Sequence, residues 1–306
     1  MDKLYDLIII GGGPAGLSAA VYAKRAKLDI LVIERAPIAG GQILKTSEVD
    51  TYLGLPGVNG FELGMKFKEH AERFDITFTD GDIASVDFSG KEKVVNTDKA
   101  SYRAKSVLIA TGAAHRHLGV PGEEELQGMG VSYCATCDGM FFKGRTTAVV
   151  GGGDVAVEDA IFLARMCEKV YVIHRREEFR AAKVLVDALK NCPNVEFVLD
   201  STVEQIEGED QVEAITVKNI NSGDTKKLSV DGVFIAVGML PNTECFKGSV
   251  GMDKTGYIIA GEEGVTDTEG VFVAGDVRTK MLRQIVTAVS DGANAIFSIE
   301  RYLNNY

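Results

Sequence analysis

Two cysteines three residues apart, Cys134 and Cys137 in the run CATCDG, are the side chains best suited to chemistry. At this spacing two thiols either close a small disulfide ring or supply half of a tetrahedral zinc site. Zinc needs two further ligands, and the candidates are poor. Cys167 and Cys192 are isolated, and His115 and His117 have no second cysteine pair near them. A redox disulfide is the better reading, because the pair accompanies two nucleotide-binding signatures. Asp138 follows Cys137 directly. With Gly139 it could simply open an Asp-Gly turn. Cys167, Cys192 and Cys245 have no partner at short spacing and read as small hydrophobes.

The elements that must position this pair are written twice in the chain. Residues 8–35, IIIGGGPAGLSAAVYAKRAKLDILVIER, resemble residues 148–175, AVVGGGDVAVEDAIFLARMCEKVYVIHR. Each copy reads as an apolar strand, a glycine turn, a helix and a second apolar strand, which is a βαβ unit and implies a parallel sheet. The fingerprints are Gly11, Gly13 and Gly16 in the first copy and Gly151, Gly153 and Ala156 in the second. In such a turn the first glycine permits the bend, the second lets backbone approach a pyrophosphate, and the third position lets helix pack on strand. One such turn alone would be a weak signal; two in matched context predict two bound dinucleotides.

The second strand of each copy ends where a ribose would be read, with Glu34 and His174 at the same spacing from their first glycines. Glu34 can accept ribose hydroxyl protons and would repel a 2′-phosphate, which suits FAD or NAD. His174, Arg175, Arg176 and, one helical turn on, Arg180 offer donors for a dianionic phosphate, which favours NADPH. The alternative for HRREEFR is a solvated helix start whose arginines are neutralised by Glu177 and Glu178.

Each half closes alike, on Ala110-Thr111-Gly112 and on Ala236-Val237-Gly238, and the chain returns with VFVAGD at 271–276 and an apolar helix from about Gln284 to Tyr302. VFVAGD taken alone could be just another strand. The expected fold is α/β: two Rossmann-like, three-layer domains, the second (113–248) inserted into the first (1–112 and 249–306). The connectors would lie at 113–120 and 241–249. Polar stretches around 76–104 and 194–230 read as small antiparallel layers, one on each parallel sheet. The composition agrees with a globular chain of this size: 306 residues, 45% apolar, 25% charged. A formal charge of −11 argues against a general nucleic-acid binder. No signal-peptide core or 18-residue apolar run is present, so no export and no membrane span are expected. The odd, thin cysteine count points to a reducing, cytoplasmic setting.

IIIGGGPAGLSAA, GGQ at 40–42, ATG at 110–112, CATCDG, GGGDVA, HRREEFRAAK, AVGMLPNT at 236–243 and VAGDVRTKMLRQIVTAVSDG at 273–292 together resemble the low-molecular-weight, bacterial-type thioredoxin reductases over the whole length. The resemblance implies FAD on Gly11, Gly13, Pro14, Ala15, Gly16, Glu34, Gly41, Gln42, Ala110, Thr111, Gly112, Gly275, Asp276, Arg283, Gln284 and Ile285. A helix starting near Gln284 would turn its positive end toward the flavin pyrimidine edge, and Gln284 could equally be a helix cap. NADPH would lie on Gly151, Gly153, Asp154, Ala156, His174, Arg175, Arg176, Arg180, Ala236, Val237 and Gly238. The implied chemistry is a relay from NADPH through FAD to the Cys134–Cys137 disulfide and on to oxidised thioredoxin. In it Cys137 faces the flavin, Cys134 attacks the partner and Asp138 handles the proton. The inserted domain is expected to rotate about the connectors, and the protein to be a homodimer. Other readings are a reductase of a peroxide-scavenging redox protein, which commonly carries an extra N-terminal region for which Met1 leaves no room here, a ferredoxin-driven variant, and a non-enzymatic flavin sensor.

Overall fold

The computed structural model describes residues 3–46 and 48–306. Leu4–Ile10 forms β1, Pro14–Arg25 forms α1 and Ile30–Glu34 forms β2. β1 is central: Leu7 to Ile10 pair in parallel with Ile30 to Ile33 on one side and with Ser106 to Ile109 on the other. Its side chains alternate between two cores. Leu7 and Ile9 pack with Leu17, Ala19 and Ala20 of α1, and Ile8 and Ile10 pack with Val95, Val107 and Phe246. A strand covered on both faces cannot carry polar residues, which is why LIII is an unbroken apolar run. Each fully buried Leu or Ile contributes about 1.5–3 kcal/mol.

After β2 come α2 (Gly60–Glu72), capped by Asn59, whose side chain accepts from the Phe61 and Glu62 N–H groups, then β3 (Thr77–Asp80), β4 (Ile83–Asp87), β5 (Lys93–Thr97) and β6 (Ser101–Ile109). The sheet runs β3-β2-β1-β6-β5-β4. β6 changes neighbours along its length. Its first half pairs antiparallel with β5, and its last residues, Val107 to Ile109, pair in parallel with Val271 to Val273. The polar stretch 76–104 is thus only partly an antiparallel layer, since β3 is a parallel edge strand against β2.

The inserted part repeats the plan. It contains β7 (Ala113–His115), β8 (Val131–Ser132), α3 (Ala135–Asp138), β9 (Thr146–Val150), α4 (Asp154–Ala164), β10 (Lys169–Ile173), α5 (Lys183–Lys190), β11 (Val195–Val198), β12 (Ser201–Glu207), β13 (Ala214–Asn219), β14 (Thr225–Ser229) and β15 (Gly232–Ile235). β11-β10-β9-β15-β8 is a parallel sheet, and β12-β13-β14 is a separate antiparallel one. Here too the first polar strand, β11, joins the parallel edge instead of the antiparallel layer. Val203, Ile206, Ile215, Val217 and Leu228 of the small sheet pack with Ala148, Val150 and Ile173; Val149 turns the other way, toward Ala156, Val157 and Ala160 of α4.

The chain leaves through β16 (Met239–Pro241), forms β17 (Val271–Val273) and ends in α6 (Ile285–Leu303). Two compact units result, Met1–Ala114 with Leu240–Tyr306, and His115–Met239. The second crossing falls at 239, not 248, because Phe246 is fully buried in the outer unit and stacks on Phe88 at 6.5 Å between centroids. β7 and β16, the two crossings, pair as a two-stranded ribbon. Among the described residues no helix is long and apolar enough to cross a membrane.

Candidate functional site

Cys134 and Cys137 are joined as a disulfide, with Cα atoms 5.3 Å apart. Cys134 is the extended residue that caps α3, and its carbonyl accepts from the Cys137 and Asp138 N–H groups, which closes the CATC loop. Ala135 anchors the loop in the core with Ala156, Ala160 and Leu163, leaving Cys134 half-buried and Thr136 exposed. Among the described residues no group of three or more metal-ligating side chains forms.

Ser132, which belongs to no motif, organises this loop. Its hydroxyl donates to Asp138 Oδ2 at 2.6 Å and accepts from the Cys134 N–H at 3.1 Å. The other carboxyl oxygen of Asp138, Oδ1, is buried without a partner. Burial pushes the Asp138 carboxyl above its ordinary value, with the Ser132 hydrogen bond pulling the other way and losing. A carboxyl biased toward its protonated form, on the same short helix as Cys137, is suited to hand a proton to a departing thiolate. This favours the acid reading of Asp138 over a mere turn.

In the outer unit the expected cofactor residues lie where the parallel strands end: 11–13 after β1, 34 at the end of β2, 110–112 after β6 and 274–276 after β17. Ligands of open α/β sheets bind at this carboxyl edge. Gly11, at φ +109°, permits the turn, and an added Cβ there would strike the Ala110 carbonyl at 2.4 Å. Gly13 precedes α1 with Pro14 in the first turn and no side chain capping the helix. A Cβ on Gly13 would meet only Gly41 Cα at 3.8 Å, so the helix end opens onto space. Glu34 is aimed by two backbone donors, Gly12 N–H to Oε2 at 2.5 Å and Ala36 N–H to Oε1 at 2.8 Å, and each oxygen keeps a second lone pair. Gln42 donates to the Ala113 carbonyl. Thr111 and Asn242 exchange hydrogen bonds of 2.7 and 2.8 Å.

Asp276 Oδ1 is buried with no partner, and burial raises this carboxyl above its ordinary value. An orphaned acceptor, an uncapped helix end beside open space and a fixed carboxylate fit the hydroxyls and pyrophosphate of FAD. Gln284 is a helix cap: its side chain and that of Thr287 form a reciprocal box at the start of α6, and Thr51 also donates to it. Arg283 donates to the Asp276 and Arg278 carbonyls and lies 4.0 Å over the Tyr257 ring. Beneath this segment, and unforeseen, Asp291 accepts from the Gly275 N–H, from Arg278 Nε and Nη2, and from Lys280 Nζ, all within 2.9 Å.

In the inserted unit the matching edge carries Gly151 to Gly153 after β9, 174–176 after β10 and 236–238 after β15. Gly153 is again an N-cap with no capping side chain and open space about it. Arg175, Arg176 and Arg180 are exposed, and among the described residues none is ion-paired, so Glu177 and Glu178 do not neutralise them. His174 does not join them. It is 6% exposed, stacks on Phe179 at 5.3 Å, places Nε2 against the Glu178 carbonyl, and fills the space below Gly152, where a Cβ would stand 2.2 Å from its ring. Burial lowers its basicity, opposed by the bond to the Glu178 carbonyl and reinforced by the three nearby arginines, and its ring supports the turn from below. Residues 174–182 are irregular, not a helix start; Arg180 returns to the turn through its N–H bond to the Gly152 carbonyl at 2.8 Å. Asp154 accepts from the Ala182 N–H at 2.7 Å and closes the loop.

The profile of the family described as pyridine nucleotide-disulphide oxidoreductase matches residues 5–292. The chain is 45% identical over 310 residues to thioredoxin reductase of Peptoclostridium acidaminophilum, covering 99% of this chain and 98% of that protein. It is 45% identical over 304 residues to thioredoxin reductase of Bacillus subtilis strain 168, covering 99% and 96%. The crystal structure of thioredoxin reductase from Streptococcus pyogenes MGAS5005 superimposes with a TM-score of 0.95 at 44% identity, over the full length of both chains.

Proposed function

The chain belongs to the pyridine nucleotide-disulphide oxidoreductase family, and from that premise we propose that it is an NADPH-dependent, FAD-containing reductase of oxidised thioredoxin. The observation that carries this reading is the Cys134–Cys137 disulfide with Asp138, whose carboxyl burial raises, on the same turn. FAD, when bound, supplies the two-electron carrier between NADPH and the disulfide. Glu34, the α1 N-terminus and Asp276 would hold it; the α4 N-terminus with Arg175, Arg176 and Arg180 would hold NADPH.

Two electrons open the Cys134–Cys137 bond, and Asp138 gives its proton to one of the sulfurs released. The Cys134 thiolate then attacks one sulfur of the partner disulfide, forming a mixed disulfide and expelling the other partner sulfur, which takes up a proton. Cys137 attacks Cys134 Sγ, restoring the original bond and releasing the second partner thiol. We further propose a cytoplasmic homodimer in which the inserted unit turns about the two crossings to serve both electron donor and acceptor. Cross-linking the crossings should stop steady-state turnover, and unchanged turnover would rule the rotation out.

The relay is tested with purified, flavin-loaded protein by following NADPH oxidation with and without oxidised thioredoxin. Cys134→Ser should keep the flavin bleachable by NADPH and abolish reduction of the protein disulfide. Retained reduction would refute the assignment.

A further inference from the structure

Tyr133, the residue before Cys134, is held on three sides by the segment that opens the inserted unit. Its ring stacks on His115 at 5.0 Å between centroids and meets the edge of His117 at 5.3 Å. Its hydroxyl lies 2.8 Å from Glu123 Oε1 and 2.9 Å from His117 Nδ1. Glu123 is itself fixed, its side chain only 2% exposed, with Oε1 and Oε2 accepting from the Leu118 and Gly119 N–H groups at 3.0 and 2.7 Å.

Counting protons fixes the direction of these bonds. Burial alone would raise the Glu123 carboxyl, but its hydrogen bonds to Leu118, Tyr133 and Gly119 outweigh that and hold it below its ordinary value, so it is an anion. Burial and this anion together push the Tyr133 phenol up, so it keeps its proton. A phenol has one O–H, and a carboxylate can only accept, so Tyr133 donates to Glu123. The phenolic oxygen is then free to accept from a protonated His117 Nδ1, which also faces Glu123 Oε1 at 3.3 Å.

The residues on either side of Cys134 are thus pinned, and the Cys134 sulfur itself meets only Cys137 and, at 3.5 Å, the hydroxyl of exposed Thr136 among the described contacts. Ser132 is held by Asp138, Tyr133 by Glu123 and the two histidines, and Ala135 by the core, while Cys134 between them stays half-buried. We propose that Tyr133 is a positioning residue for Cys134, holding its sulfur in the orientation from which it attacks the partner disulfide. The proposal rests on the reading of Cys134 as the exchanging sulfur. Loss of the hydroxyl should slow exchange at Cys134 without slowing electron entry, because nothing in this hydrogen-bond set touches the glycine turns.

The test uses the flavin-loaded enzyme reduced by NADPH, with iodoacetamide as probe and mass spectrometry to assign the alkylated cysteine. Tyr133→Phe should lower the alkylation rate of Cys134 and kcat/KM for the protein disulfide by about tenfold, a partial version of the loss that misplacing a reacting group produces. Flavin reduction by NADPH should stay within twofold. Glu123→Gln should behave like Tyr133→Phe, and the double variant should be no worse than either, as expected for partners in one bond. His117→Asn, which can keep a donor near the Nδ1 position, should retain more exchange activity than His117→Phe. A Tyr133→Phe enzyme with unchanged Cys134 alkylation, or with flavin reduction slowed to the same degree, would overturn the proposal. Alkylation first at Cys137 in the unaltered enzyme would instead overturn the choice of exchanging sulfur on which it rests.

Discussion

Replacing Asp291 by Ala should destabilise the outer unit and loosen its hold on FAD. Asp291 is the only anion hydrogen-bonded to both Arg278 and Lys280 among the described residues, and the two cations have side chains only 7% and 6% exposed. Removing it strands two buried charges and frees the Gly275 N–H. Breaking a buried ion pair from one side costs about 3–5 kcal/mol. For a unit of this size that corresponds to a fall of roughly 6–20 °C in its melting temperature. The pH dependence has a fixed sign. Burial would raise the Asp291 carboxyl, but the hydrogen bonds and charges of Arg278 and Lys280 outweigh it and hold the group below 3.8. A carboxyl lowered on folding stabilises above its unfolded value and loses that contribution as pH falls through the folded one. The gap between wild type and variant should therefore be full at pH 7 and narrow below about pH 4. Calorimetry of the flavin-free protein at pH 7 and at about pH 3, inside the window where the contribution is lost, with FAD titration by fluorescence, reads both effects. A loss under about 1 kcal/mol at pH 7, the size expected of an exposed pair, or a gap that widens on acidification, would refute the argument.

Arg175→Ala combined with Arg176→Ala should raise KM for NADPH by about 10²-fold, since a hydrogen bond to a charged group contributes about 1.5–3 kcal/mol. KM for NADH should change under about threefold, because NADH lacks the 2′-phosphate that these side chains would read; equal losses in steady-state assays would contradict the phosphate reading. Asp138→Asn should slow reduction of the protein disulfide by about 10²–10⁴-fold, the usual range for a lost general acid. Its stability should move the other way. Burial raises the Asp138 carboxyl on folding, so wild-type Asp138 favours the fold at low pH and loses that contribution as pH rises through the folded value. Thermal melts should show the Asn variant gaining on wild type between pH 4 and pH 8.

What the sequence revealed and what it withheld separate along one physical line. The doubled βαβ unit was legible because its determinants are local: an apolar run such as Leu7 to Ile10 reports burial on both faces, and the glycine turn follows at once. The CATC pair was legible for the same reason, its two sulfurs being close in sequence as in space. β3 and β11 read as antiparallel in the sequence because a parallel edge strand that is not fully buried mixes polar and apolar residues just as an antiparallel strand does. The end of the insert was displaced because the burial of Phe246 is decided by Phe88, far earlier in the chain. The burial of His174 beside the arginines is not legible in HRREEFR, because its place is set by the absence of a Cβ at Gly152. Asp138 lies in CATCDG, and Arg278, Lys280 and Asp291 lie in the run at 273–292, but the contacts of Ser132 with Asp138, Glu123 with Tyr133, and Asp291 with Arg278 and Lys280 are not legible, because each is made across a turn whose path the residues between do not encode. These three contacts share a property: each gives a partner to a buried charge or carboxyl next to the groups proposed to react or to bind. A buried polar group left unpaired costs more than the net gain of pairing it. The supporting contacts should therefore tolerate substitution less well than exposed Arg175 or Arg176, whose loss would weaken a ligand and leave the fold intact.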